Sequence, residues 1–292
     1  MVHNSKDYIN IVIVVFIASL VALAGAQNGL QYKGFPILVI CMAASFLIHW
    51  LAFIPSYLCR TEKFYDILGS IAYLTVLFIA SYFTYLVSDT NLQQRSLLAI
   101  ALVSAWTLRL GLFLFLRIMK AGEDRRFREV KKSFSKFLLW WSMSALWVFL
   151  TAVNALTMII NNDSLNSDTF LYLGLSVWII GFAFEVIADE QKRRFNSDSK
   201  NNTKFISTGL WSLSRHPNYF GEILVWIGMA IIAFPTLSGL QYVTLISPVF
   251  VLLLLTRVSG VNLLEDRAEK KWGTLEGYKK YKRKTPPLVP FI

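Results

Sequence analysis

The chain has 292 residues, 55% apolar and 16% charged, with a formal net charge of +11 and two cysteines. Soluble domains run about 45–50% apolar and about 25% charged, so this balance argues against an ordinary soluble enzyme. It also excludes disorder, and two thiols exclude a disulfide framework.

The apolar residues gather in blocks of about twenty, the length that crosses about 30 Å of hydrocarbon at about 1.5 Å per residue. In chain order the blocks are Tyr8–Ala26, Phe35–Ile54, Ile67–Val87, Leu97–Leu116, Phe137–Ile160, Phe170–Ala188, Tyr219–Phe234 and Leu240–Val258. The first is long for a secretory h-region and is followed at once by another span, so it reads as a retained helix. The seventh is short and could pair with the eighth as a re-entrant hairpin turning at Pro235 and Gly239. The expected fold class is therefore all-α: a polytopic membrane helical bundle of about seven to eight transmembrane helices. Cys41 and Cys59, about 27 Å apart if helical, are too distant to pair.

Charge sets the orientation. With both termini cytoplasmic, 26 of the 29 Lys and Arg residues fall on the inner side. Lys33 and Arg95 fall outside and Arg109 inside the fourth block. Orientation and anionic lipid head groups account for the net charge without nucleic acid. The expected location is an integral multi-pass position, in the endoplasmic reticulum membrane of a eukaryote or the inner membrane of a bacterium. Residues 1–116 are mostly spans with short connections. From Arg117 onward the cytoplasmic loops are long and charged, so 117–292 is the expected catalytic and cofactor part of one integrated bundle.

Charges at bilayer depth are functional candidates by default. Arg109 lies in the fourth block, Glu185 in the sixth with Asp189 one turn on, and Glu222 opens the seventh. Pairing of Arg109 with Glu185 or Glu222 is the plain structural alternative. Two loops, Gly122-Glu-Asp-Arg-Arg-Phe127 and Asp189-Glu-Gln-Lys-Arg-Arg-Phe195, interleave acids with arginines. Arginine forks suit phosphates, whereas simple juxtamembrane anchoring gives no reason for the acids. Neither a Rossmann nor a Walker pattern is present, and His3, His49 and His216 are not at metal-ligand spacing. His49 reads as a satisfied core residue.

The most informative run is Ser207–Glu222, STGLWSLSRHPNYFGE. Pro217 stops any helix before it, Asn218 is placed to cap the helix carrying Glu222, and Arg215 and His216 are presented at that helix's N-terminus, whose dipole attracts anions.

That run, with Leu264-Glu265-Asp266-Arg267, Lys271-Trp272-Gly273, Tyr278, Tyr281 and Pro290-Phe291-Ile292, resembles the C-terminal domain of membrane steroid 5-alpha-reductases. It is similar as well to sterol C14-reductases and isoprenylcysteine carboxyl methyltransferases. The strongest likeness is to bacterial-type steroid-reductase-like proteins of unassigned function, over most of residues 60–292. The resemblance implies an NADPH-dependent reductase of a lipophilic enone that enters from the bilayer. An S-adenosylmethionine-dependent methyltransferase of a membrane lipid or prenylated substrate is the alternative, and a non-catalytic lipid or cofactor binder the third reading. Glu222, where the methyltransferases generally carry an apolar or aromatic residue, and the surplus of loop arginines favour reduction.

Carried over residue by residue, Arg125, Arg126, Arg193 and Arg194 would hold phosphates, with Arg215 and His216 beside them. Asp124 and Asp189 would orient ribose or arginine. Asn218, Tyr219 and Glu222 would frame the nicotinamide, and Glu265, Tyr278 and Tyr281 would close the pocket. The glutamate–tyrosine pair of the steroid reductases has no matching motif, and Trp106 stands near where the tyrosine would fall. Glu62, Asp66 and Tyr73 are the candidates for the missing donor, although Tyr73 reads more readily as a packing aromatic.

Overall fold

The computed structural model describes residues 2–165, 167–258 and 260–290, without the side chains of residues 2–4 and Arg125. The helices are α1 (Val2–Gly25), α2 (Ile37–Leu58), α3 (Tyr65–Ser88), α4 (Gln94–Ala121), α5 (Phe134–Asn161), α6 (Thr169–Ser197), α7 (Pro217–Ala233), α8 (Ile246–Leu253), α9 (Val261–Trp272) and α10 (Glu276–Lys284). Eight segments among the described residues are long and apolar enough to cross a membrane. The chain is thus an integral multi-pass membrane protein of all-α class.

The last two segments are Pro217–Thr236 and Gly239–Trp272. Each is long enough to count as a span, so the short apolar block at Tyr219 is no obstacle to crossing. The eighth runs past the expected end at Val258, through a π-helical stretch over Leu254–Val258 and on into α9. Among the described residues there is one piece of strand: a hairpin of Gln31–Tyr32 with Phe35–Pro36, before α2. Lys33 and Gly34 form its turn with φ of 48° and 83°, the paired positive values that a two-residue hairpin turn requires.

Helix ends follow local chemistry. The Asp168 carboxylate caps α6 by accepting from Leu171 N–H at 2.8 Å, and α3 and α5 stop at Asp89 and Asn162 in the left-handed conformation. Pro217 is the first residue of α7, where its missing N–H and fixed φ cost nothing. Asn218 therefore lies inside the helix rather than capping it, and its side chain turns elsewhere.

The chain packs as two compact units, one of residues 1–167 with 233–246 and one of residues 168–232 with 247–292. Residue 116 lies inside α4, and both α4 and the charged loop after it belong to the first.

In the first unit α5 is the central helix, 83% of its most apolar window buried, and α1, α2, α3 and α4 all pack on it. Hydrophobic burial alone cannot hold helices together in lipid, so small residues and hydroxyl hydrogen bonds contribute. Ser45 Oγ donates to the Ala145 carbonyl at 2.9 Å, Trp50 Nε1 to Ser142 Oγ at 3.0 Å and Ser70 Oγ to the Thr107 carbonyl at 3.0 Å. Near the start of α5, Phe53, Phe127, Phe137 and Trp141 form a buried aromatic cluster that anchors the loop after α4.

In the second unit α6 and α7 meet at their backbones. A Cβ on Gly221 would lie 2.5 Å from Glu185 N and 2.6 Å from the Gly181 carbonyl oxygen, and one on Gly228 would lie 2.6 Å from both the Gly174 carbonyl oxygen and Trp178 N. Close backbone approach through glycines is a recurrent device of membrane helix pairs. Gly221→Ala should thus lower the melting temperature in detergent markedly, by overpacking worth about 1–3 kcal/mol. The control Gly277→Ala, in α10 where nothing lies within 4 Å of the new methyl, should melt at or slightly above wild type. Equal melting of Gly221→Ala and wild type would refute the backbone contact.

Candidate functional site

The α6–α7 contact brings the chemistry of the second unit together. Glu185 and Asp189, a turn apart on α6, are both buried, as are His216 and Glu222. Asn218, displaced from the cap by Pro217, donates from Nδ2 to Asp189 Oδ1 at 3.1 Å. Glu265, on α9, places Oε1 2.9 Å from His216 Nε2 and Oε2 2.9 Å from Arg215 Nη1. The arginine contact is close enough for charge but off the line of a hydrogen bond; among the described residues Nη1 and Nε of Arg215 and Nδ1 of His216 have no hydrogen-bond partner. The His216 ring stacks on Tyr219, centroids 5.7 Å apart. Burial pulls the His216 pKa below 6.5; the Glu265 hydrogen bond and charge oppose this, while Lys192 and Arg215 add to it.

The chain beyond α9 holds this arrangement from behind. Tyr281 Oη donates to the Trp211 carbonyl at 2.6 Å, Arg215 N–H to the Pro286 carbonyl at 2.9 Å and Ser214 Oγ to the Leu288 carbonyl at 2.7 Å. Tyr278 is buried against Phe205, and burial raises the phenol pKa of both tyrosines. On the α6 side, Trp211 Nε1 donates to the Ala188 carbonyl at 3.0 Å and Leu210 N–H to Gln191 Oε1 at 3.0 Å. Gly209, at φ +60°, passes directly beneath the Gln191 amide, a place no side chain could share.

The neighbouring arginines do not join this cluster. Arg193 and Arg194 are exposed and both hold Glu190, at 2.6 Å and 2.5 Å. That i, i+3 and i, i+4 geometry on α6 takes up the acid interleaved with them.

The remaining expected residues lie in the first unit. Arg126 is engaged with Asp124 through Nε and Nη2, at 2.8 Å and 2.5 Å. Asp124 therefore orients an arginine. Burial works to raise the Asp124 pKa, but the hydrogen bonds and charge of Arg126 outweigh it and hold the carboxyl below its usual range. Burial works to lower the Arg126 pKa, but Asp124 and, less strongly, Asp66 and Tyr65 outweigh it and push it up. The side chain of Arg125 lies outside the described residues. Glu62 is buried, accepting from Asp124 N–H at 3.0 Å and Lys131 Nζ at 2.7 Å. Both its oxygens anchor the 124–131 loop, a role the sequence offers no signal for, since Glu62 is remote from that loop in the chain. Asp66 is half-buried in the first turn of α3. Tyr73 is buried, its hydroxyl hydrogen-bonded to Thr151 Oγ1 and its ring edge-on to Trp106 at 5.3 Å. Arg109 lies over the Phe113 ring at 5.4 Å; it belongs to the first unit, and Glu185 and Glu222 to the second.

Residues 52–285 match the family described as "Protein of unknown function (DUF1295)". The chain belongs to this family, which is steroid 5-alpha-reductase-like. No curated protein matches the chain.

Two outcomes test the first-unit cluster. Glu62→Gln removes the carboxylate that Lys131 pairs with, and should destabilise by somewhat less than the about 3–5 kcal/mol of a fully buried pair, because Lys131 keeps a fifth of its side chain in water; an unchanged melting temperature would refute the anchor. Asp124 stabilises the fold fully above its unfolded pKa near 3.8 and ceases to as pH falls through its lower folded value. Asp124→Asn should accordingly be less stable than wild type near neutrality, and the gap should close in acid.

Proposed function

We propose that this member of the DUF1295 family is a membrane-embedded, NADPH-dependent reductase that reduces a carbon–carbon double bond conjugated to a carbonyl in a lipophilic substrate. The observation that carries the reading is the polar cluster of the second unit. Asp189, Asn218, His216, Glu265 and Arg215 meet around the N-terminus of α7, with buried donors and an acceptor left over on Arg215 and His216. Buried polar groups without partners are costly, and a bound polar ligand supplies partners.

The residues fit a dinucleotide in chemical type. Arg215 offers Nε and Nη1 to an anionic or carbonyl oxygen at a helix N-terminus, where the dipole favours negative charge. Asp189, held by Asn218, is placed to accept from hydroxyl groups. Tyr219, stacked on His216, presents an aromatic face. NADPH, when bound, supplies the hydride. The chain's own task is then to orient the ring and the double bond within reach of one another, to exclude water, and to polarise the substrate carbonyl. Glu62, Asp66 and Tyr73 stay the proposed polarising groups. Tyr73 is the one that carries an O–H, while Glu62 is taken up by Lys131 and Asp124.

Within this proposal the substrate is lipid-soluble and reaches the protein from the bilayer. The host membrane is the endoplasmic reticulum in a eukaryote or the inner membrane in a bacterium, with both termini on the cytoplasmic side. Arg193 and Arg194, exposed and tied to Glu190, can serve phosphates only by releasing that acid, so they rank behind Arg215.

A melting screen in detergent tests the reading. NADPH at about a hundred times its dissociation constant should stabilise the protein by about 2.7 kcal/mol, with NADH weaker and S-adenosylmethionine inert. Glu222→Gln should abolish enone-dependent NADPH oxidation. A shift with S-adenosylmethionine alone would replace reduction by methyl transfer, and indifference to all three would remove the enzyme reading.

A further inference from the structure

We propose that Glu265 locks His216 in the Nε2–H tautomer, so that Nδ1 is a buried lone pair accepting a hydrogen bond from a neutral N–H or O–H group of the bound ligand. His216 then selects for a hydrogen-bond donor and binds no phosphate. The ligand class rests on the cofactor reading above; the tautomer does not.

Three features of the geometry lead there. Glu265 Oε1 sits 2.9 Å from His216 Nε2, and a carboxylate can only accept, so the proton of a neutral ring belongs on Nε2. The other Glu265 oxygen faces Arg215 Nη1 at 2.9 Å, which keeps the carboxylate charged and aimed. The ring itself is fixed: His216 N–H donates to Ser214 Oγ at 3.1 Å, Pro217 follows, and Tyr219 stacks on the imidazole. Its side chain is only 6% exposed, so Nδ1 depends on a partner inside the site, and among the described residues it has none.

The charged ring is the alternative, and its surroundings oppose it. An imidazolium would stand at the positive end of the α7 dipole, close to the charges of Arg215 and Lys192, with Glu265 as its counter-charge. Burial, the largest influence on this histidine, acts in the same direction as those two cations.

A lone pair repels phosphate oxygens and accepts from amide or hydroxyl hydrogens. Arg215, held by the same carboxylate, contributes donors. Side by side, an acceptor and donors complement a group that carries both, namely a carboxamide or a sugar hydroxyl. Glu265 is thus a positioning residue that acts through His216. The role parallels that of the carboxylate that holds the imidazole tautomer in hydrolytic triads.

The experiment is nitrogen NMR of the full chain in detergent micelles, labelled at its histidines, with His216→Asn to assign the His216 signals. The expected spectrum near neutral pH shows a protonated Nε2 and an unprotonated Nδ1. Adding NADPH should move Nδ1 toward its hydrogen-bonded position without protonating it. Glu265→Gln, whose amide can donate as well as accept, should mix the tautomers and weaken NADPH binding about tenfold, the size of one hydrogen bond. Should His216→Asn fail to fold, the signals that respond to Glu265→Gln identify the ring instead. An Nδ1–H tautomer, or a ring protonated at both nitrogens, overturns the proposal. Binding of NADPH with Nδ1 unmoved overturns the acceptor role. The stated tautomer with no melting shift from NADPH removes the cofactor reading and leaves the positioning role of Glu265 standing.

Discussion

The contact between Gly181 on α6 and Gly221 on α7 constrains the whole second unit. With a side chain at either position the backbones could not approach as they do, and Asp189 would lie beyond the reach of Asn218. Lipid supplies no hydrophobic force to draw two helices together, so close backbone packing and polar contacts supply it. The same contact sets Glu185 against the glycine that precedes Glu222. A packing requirement and a chemical one are met by the same few residues.

Buried polar groups must find partners within the protein, and the charged loop of the first unit and the cluster of the second differ in this. In the charged loop of the first, Arg126 engages Asp124 and Lys131 pairs with Glu62 from before α3, with Phe127 sunk into the aromatic cluster. In the second, the pairing is incomplete. Glu265 holds both Arg215 and His216, yet nitrogens of both remain without an aligned partner among the described residues.

The arginines illustrate why residue type alone misleads. Two loops with the same interleaving of acids and arginines look equivalent in the sequence, and both read as phosphate-binding. In each, the structure shows the acid engaging an arginine, Asp124 with Arg126 two residues away and Glu190 with Arg193 and Arg194 one turn away. Local partners of that kind are at hand whatever the fold does, since the helix or turn itself supplies the spacing. Arg215 differs because the proline after it ends local options. Its counter-charge comes from Glu265, fifty residues on.

What the sequence by itself determined is whatever depends on run length and on local stereochemistry. Seven to eight apolar stretches of about spanning length, the all-α class and the singular Arg215–Glu222 segment are all present in the order of residues. What only the tertiary structure decided is which distant groups meet. Asn218 turns to Asp189 rather than to its own helix end, Glu62 anchors a loop sixty residues away, and the chain after α10 returns its carbonyls to Ser214 and Arg215. The reason is physical: a span is encoded by transfer free energy summed over neighbours in the chain, whereas a site is encoded by distances that exist only once helices have packed.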